Sequence, residues 1–191
     1  MPEEPAKKGT GLIEYLTGLS SANDRGPLAT LRRGLGYPPG ECIDMYRYIA
    51  HCVPDWDRNT DREKIYYLVA ALYAYYPISA PEGNKENFGN HMALAASRLP
   101  DPISTERRFT VLLNANSSDL AGAMRQAVSF IRSKDIPKPI PINWKILFND
   151  LMHWDLPDKR IQRRWANAFW AYQKPLEENQ TVSSINDQQE K

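Results

Sequence analysis

The sequence has little of what most function classes require. No apolar run approaches the ~18 residues needed to span a bilayer, so no transmembrane helix is expected. The opening MPEEPAKKGTG is acidic and then basic with no apolar stretch, which argues against a secretory signal peptide. Cysteine occurs twice in 191 residues, as Cys42 and Cys52. That leaves no disulfide framework and points to a reducing compartment, with the cytoplasm as the expected location. The three histidines, His51, His91 and His153, lie in different segments, and none has HExxH, CxxC or HxxxH spacing, so no metal site is expected. There is no GxGxxG, no phosphate loop and no GxSxG elbow. Asp55 and Asp57 fall in a turn beside Arg58, where they read as loop-capping and solvated groups rather than an acid–base pair. No enzymatic activity, cofactor or small-molecule substrate is expected.

What is present is a chain of ordinary soluble composition, 42% apolar and 25% charged, long enough for one real core. Its net charge of +1 conceals a strong asymmetry. Residues 1–102 carry 11 Lys and Arg against 13 Asp and Glu, residues 103–174 carry 12 against 6, and residues 175–191 carry 1 against 4. A basic body thus ends in an acidic, polar tail, PLEENQTVSSINDQQEK, too poor in large apolar residues to offset its ordering entropy. Residues 1–9 are expected to be flexible and 175–191 disordered.

Nearly every periodic segment between them has helical spacing. TGLIEYLTGLS (10–20) places Leu12, Tyr15, Leu16 and Leu19 on one stripe, and Leu28, Leu31 and Leu35 repeat this before Gly34 and Gly36 offer a stop. ECIDMYRYIAHCV (41–53) reads as one helix up to Pro54. REKIYYLVAALYAYY (62–76) is apolar over most of its circumference and should be the most buried helix. KENFGNHMALAASRL (85–99) is a weaker one. Ser104 is placed to cap a helix to about Leu113, and a serine to cap 117–134, where Leu120, Met124, Ala127, Val128 and Ile131 form one stripe. INWKILFNDLMHW (142–154) and DKRIQRRWANAFWAYQ (158–173) complete the set, the last capped by Asp158. No strand alternation bounded by hairpin turns is present. The expected fold is an all-α bundle of about eight or nine helices over residues 10–174, with 77–102 as a candidate joint between two packed halves.

The last helix carries the clearest signal. With Ile161 at 0°, Trp165 falls near ~40°, Phe169 near ~80° and Tyr172 near ~20°, while Lys159, Arg160, Arg163 and Arg164 lie between ~160° and ~300°. The aromatics face a core and read as packing residues rather than base-stacking platforms. The four cations share the other side, and only Asp158 is spaced to relieve their repulsion. Arg107 and Arg108 likewise point away from the Phe109, Leu112 and Leu113 face. Arg125 and Arg132 are aligned along one helix edge, with Lys134 just beyond. Arginine's planar fork suits phosphate, and several helices turning cations outward can track a nucleic-acid backbone without reading bases. From pattern alone three readings stand: nucleic-acid contact, a merely solvated basic face, and a docking face for an acidic protein.

The residues also carry a resemblance. LATLRRGLGYPPGE, MYRYI and STERRFTVLLNANSSDLAGAMRQAVSFIRSKDIPKPIPINWKILFNDLMHWDLPDKRIQRRWANAFW together resemble the CasB family, the small subunit of the type I-E CRISPR surveillance complex Cascade. The likeness runs from about Leu28 to Tyr172 and is weakest over 77–102. MRQAV departs from the family's LRQAV through Met124, a conservative core exchange.

The resemblance implies an all-helical, non-catalytic protein of antiviral defence that sits as a pair of copies beside the subunits holding the guide RNA. It implies a basic surface that contacts nucleic acid and stabilises the R-loop, in particular the displaced non-target strand of the target DNA. The family's basic positions match Arg32 and Arg33, Arg107 and Arg108, and Arg125, while Lys159, Arg160, Arg163 and Arg164 match the basic start of its last helix. Arg132 and Lys134 are added by helix geometry. Arg32 lies within about ~40° of the leucine stripe, so a structural ion-pair role competes with a binding one there. The rival to this reading is a helical adaptor whose basic face docks an acidic subunit without touching DNA.

Overall fold

The structure, a computed structural model, describes residues 11–22, 25–99, 103–134 and 137–172, so the expectations for 1–9 and 175–191 lie outside the described residues. The described residues form nine α-helices: α1 (Leu12–Ser21), α2 (Arg25–Arg33), α3 (Tyr46–Ile49), α4 (Asp61–Tyr75), α5 (Phe88–Ala96), α6 (Ile103–Asn114), α7 (Ser117–Arg132), α8 (Trp144–Met152) and α9 (160–172). Their only sheet-like pairing is one isolated parallel bridge between Ser79 and Ile142. The fold is an all-α bundle, as the periodicity required.

Helix α4 is its axis. Every residue from Tyr66 to Ala74 is buried, so the helix is covered on all sides, by α1, α2, α3, α7 and α8. Thr60 starts it by accepting from the Arg62 amide at 3.2 Å, and Asp61 and Glu63 complement the positive end of the dipole. Two of the buried tyrosines have hydroxyl partners: Tyr66 donates to Asp57 at 3.0 Å and Tyr76, just past the helix, to the Ile140 carbonyl at 3.1 Å. Asp57, expected in a solvated turn, is therefore buried, held by Tyr66 and by Arg62 at 2.8 Å, whereas Asp55 does pair with Arg58 at the surface.

Three other expectations change. Residues 41–53 do not form one helix but a single α-turn between two 3-10 turns, Ile43–Met45 and Ala50–Cys52, which buries Met45, Ile49 and Val53 while leaving Ile43 exposed. Ser104 lies within α6 rather than capping it. The cap of α7 is Asn116, whose side chain accepts from the Ser118 and Asp119 amides, so Ser117 is the first residue of the helix and not its cap. The apolar stripe of α7, Leu120 to Ile131, is buried as read.

Buried side chains from Leu12 to Phe169 form one cluster, to which the 77–99 segment contributes Phe88, Met92 and Ala93. Trp154 donates its indole N–H to the Ala115 carbonyl at 2.8 Å, pinning the two-residue turn between α6 and α7. Both cysteines are free thiols, and burial pushes Cys52 up to about 11. No helix among the described residues is long and apolar enough to cross a membrane.

Candidate nucleic-acid interface

The start of α9 is set by Asp158, whose carboxylate accepts from the Arg160 amide at 3.2 Å, and by Lys159, which takes a left-handed conformation (φ 50°) to turn the chain into the helix. Ile161, Trp165 and Phe169 are buried, Trp165 between Phe88 and Trp154 at 5.1 and 5.0 Å, and Phe169 stacked on Phe109 at 4.4 Å. Tyr172, on the same calculated stripe, is 44% exposed: the Phe109–Phe169 stack closes the core one turn earlier.

Lys159, Arg160 and Arg163 are exposed, and Arg163 also donates to the Asp158 carbonyl at 2.6 Å. Arg164 differs. Its guanidinium, half exposed, pairs with Asp150, which is fully buried and also accepts from the Trp165 indole at 2.6 Å. Asp150 lies on α8, fourteen residues away, so no spacing rule along α9 reveals it.

The second group of cations is gathered by α6 and α7. Arg107 is exposed on the outer face of α6. Arg108, Arg125 and Lys134 line one open groove together with Ser104, Gln126, Ser129, Phe130, Ser133 and Leu99; no carboxylate is among its described lining residues. Arg125 is anchored, donating to the Tyr37 carbonyl at 2.9 Å across to the turn after α2, while its Nε is buried without a hydrogen-bond partner. Arg132 lies over the Tyr75 ring at 4.4 Å, and a hydrogen bond shared with Ser129, with Arg132 beside it, lowers the Tyr75 phenol below its ordinary range. Arg32 donates to the Ala74 carbonyl at 3.0 Å, capping the negative end of α4. It therefore takes a structural partner, though a carbonyl and not the carboxylate that an ion pair would need. Arg33 hydrogen-bonds Thr30 at 3.2 Å and reaches Asp44 at 3.8 Å, with both charges mostly exposed.

Two cations outside the sequence reading take part. Arg98, at the end of α5, donates to the carbonyls of Lys134 and Lys138 and fixes the chain where α7 ends. Lys145 on α8 pairs with Glu14 at 2.7 Å, a contact that lowers the Glu14 carboxyl and raises the Lys145 ammonium. With Lys85, Asn87 and Arg164 it lines a smaller hollow. Arg98 sits at the close of a weakly periodic segment, and a lone lysine on α8 has no cationic neighbour in sequence, so neither left a pattern to find.

The expected cations are thus divided between two regions. The amide of Asn87, the cap of α5, donates to the Arg164 carbonyl at 3.5 Å, and Arg98, past its other end, contacts Lys134. The α9 group and the α6–α7 group accordingly stand at opposite ends of α5, a nine-residue helix about 14 Å long. Among the described residues no group of three or more His, Cys, Asp or Glu is placed to hold a metal ion.

The family model of CRISPR-associated protein Cse2 matches residues 27–170. A CRISPR-associated protein Cse2 from Thermus thermophilus is 29% identical over 143 residues, which cover 74% of this chain and 77% of that one. The crystal structure of M. ruber CasB superposes with a TM-score of 0.70 at 26% identity, covering 92% of this chain and 99% of its own. A chain of a CRISPR RNA-guided surveillance complex, in a pre-nicking state, superposes with a TM-score of 0.68 at 23% identity, covering 88% and 94%. At that identity the last likeness is one of fold.

Proposed function

The chain belongs to the Cse2 family of CRISPR-associated proteins, the CasB family that its sequence resembles, and from that premise we propose that it is the non-catalytic small subunit of Cascade, a CRISPR RNA-guided surveillance complex of antiviral defence. In this reading it works beside the other Cascade subunits and a second copy of itself. It holds nucleic acid by the backbone and stabilises the R-loop and the displaced strand, with guide RNA and target DNA as its nucleic-acid partners.

One observation carries the reading. Arg108, Arg125 and Lys134 come from two helices to line a single groove whose other polar walls are serine hydroxyls and the Gln126 amide. Cations and hydrogen-bond donors arranged in this way satisfy phosphate oxygens and ignore base edges. Arg107 beside the groove, and Lys159, Arg160 and Arg163 at the far end of α5, extend the contact. Arg32 and Arg164 serve by holding α4 and α9 in place, and Arg125 both anchors and binds.

The test is co-purification of the full chain with its partner subunits, followed by crosslinking of the assembled complex to a target duplex and mapping of the crosslinked residues. Crosslinks at Arg107, Arg108, Lys134 and the α9 start support the reading. Crosslinks confined to residues 1–100 would overturn it. Loss of assembly on reversing the charge of Arg108 and Arg163, with DNA affinity unaltered, would favour the adaptor reading instead.

A further inference from the structure

We infer that the acidic C-terminal segment, residues 175–191, docks in the groove lined by Arg108, Arg125 and Lys134 and acts as a tethered competitor of nucleic acid there. The inference rests on the reading of that groove as a phosphate-backbone site. Three observations converge on it.

The first is charge. Residues 98–138, the stretch of sequence that contains every lining residue of the groove, carry seven Lys and Arg against four Asp and Glu. Residues 175–191 carry Glu177, Glu178, Asp187 and Glu190 against Lys191 alone. A carboxylate offers a guanidinium the same paired acceptor oxygens as a phosphate.

The second is position. Helix α9 delivers the chain to α6, not to its own basic start. Phe169 stacks on Phe109 at 4.4 Å and the Trp170 ring lies 5.9 Å from Phe109, the residue next to Arg108. The cations at the start of α9 are a full helix length behind, about 18 Å. The α6–α7 groove is therefore the nearer of the two basic regions to the chain that follows residue 172.

The third is reach. Glu177 lies five residues beyond Tyr172, a stretch that spans at most about 18 Å when extended, a reach suited to bringing the first pair of carboxylates towards Arg107 and Arg108. A flexible chain of fifteen residues, the separation of Asp187 from Tyr172, would have a root-mean-square span of about 20 Å, a length suited to a contact along the groove. Tethering at this length supplies an effective concentration on the order of millimolar, so even a weak contact competes with a dilute ligand and yields to a long polyanion. The device suits a subunit that must ignore stray nucleic acid and accept a strand presented by its assembled complex.

The experiment compares three proteins: the full chain, a variant ending at Lys174, and a full-length variant with Glu177→Gln, Glu178→Gln, Asp187→Asn and Glu190→Gln. Each is titrated with an oligothymidylate of about 30 nucleotides, and the full chain is separately treated with a zero-length carbodiimide that joins carboxylates to lysines. The expected result is affinity about three- to tenfold tighter for both altered proteins at ~50 mM salt, converging within about twofold at ~300 mM. The carbodiimide should join Glu177 or Glu178 to Lys134 or Lys138, and the oligonucleotide should suppress that product.

Equal binding by all three proteins overturns the competitor and leaves the nucleic-acid reading standing. Crosslinks to Lys159 in place of Lys134 overturn the docking site. No binding by any of the three overturns the nucleic-acid reading, and the docking then stands or falls on the Lys134 crosslink alone.

Discussion

Arg164 lays its guanidinium on Asp150, and the adjacent Trp165 donates to the other oxygen of the same buried carboxylate at 2.6 Å. The four cations at the start of α9 are therefore not equivalent. Three have no ion pair among the described residues, and the fourth neutralises a charge that α8 has taken out of water.

Removing either partner should show this. Asp150→Ala is expected to destabilise by about 3 kcal/mol, since it strands the Trp165 indole and a guanidinium at once. Arg164→Ala should cost roughly 1–3 kcal/mol, the lower figures reflecting its half exposure. Arg163→Ala should stay within about 0.5 kcal/mol. Urea denaturation of the three variants checks the order, and an Arg164→Ala protein as stable as Arg163→Ala would contradict the assignment.

Gly89 is the point where α5 crosses α9. A methyl group there would collide with the backbone carbonyl of Trp165, an obstacle that cannot rotate away. Gly122, on the exposed face of α7, has open space around it. Gly89→Ala should therefore destabilise by at least about 2 kcal/mol, whereas Gly122→Ala should stabilise by about 0.5–1 kcal/mol through helix propensity. Thermal denaturation separates the two, and a stabilised Gly89→Ala would show that α5 and α9 are not in contact.

His91 predicts a pH dependence. It is buried, its Nε2 accepts from the Asn143 amide at 3.1 Å, and Asn143 caps α8. Burial pulls its pKa down to about 4, against 6.5 for the free side chain. Because the folded-state value is the lower, the unfolded chain binds the extra proton. The stability held by neutral His91 is complete above about pH 6.5 and is lost as pH falls towards 4, by on the order of 3 kcal/mol. His91→Gln, which cannot titrate, should flatten denaturation midpoints between pH 6.5 and 4. An unchanged pH profile in that variant would place the acid sensitivity elsewhere.

Arg125 spans two roles, and its variants should divide them. Arg125→Ala frees the Tyr37 carbonyl and removes the groove's central cation, so stability should fall by about 1 kcal/mol together with nucleic-acid affinity. Arg108→Ala should weaken affinity with stability unchanged. Parallel denaturation and binding titrations decide this, and equal effects on both quantities in both variants would count against the groove.

Much of this was legible in the sequence because it is local. The 3.6-residue period located the helices, and the wheel for α9 put Ile161, Trp165 and Phe169 inside and Lys159, Arg160 and Arg163 outside. The motif resemblance over Leu28–Tyr172 coincides closely with the family match over 27–170. What escaped is tertiary. Asp150 is one acid in an amphipathic helix until α9 brings Arg164 to it. Asp57 looks like a turn residue until Tyr66 and Arg62 close over it, and Arg98 gains its meaning only where α5 meets the end of α7. The break of 41–53 into short turns also has no periodic signature, because apolar residues at helical spacing serve 3-10 and α turns alike.

In the proposed function, exposed cations on α6, α7 and α9 hold a nucleic-acid backbone. The most direct test is the slope of log affinity against log salt for single-stranded DNA, measured for the full chain and for a variant with Arg107→Glu, Arg108→Glu and Arg163→Glu. A slope of about −5 is expected for the full chain, near −0.7 for each of the cations assigned to the backbone, with a weaker, flatter dependence in the variant at undiminished thermal stability. A slope indistinguishable between the two proteins would contradict it.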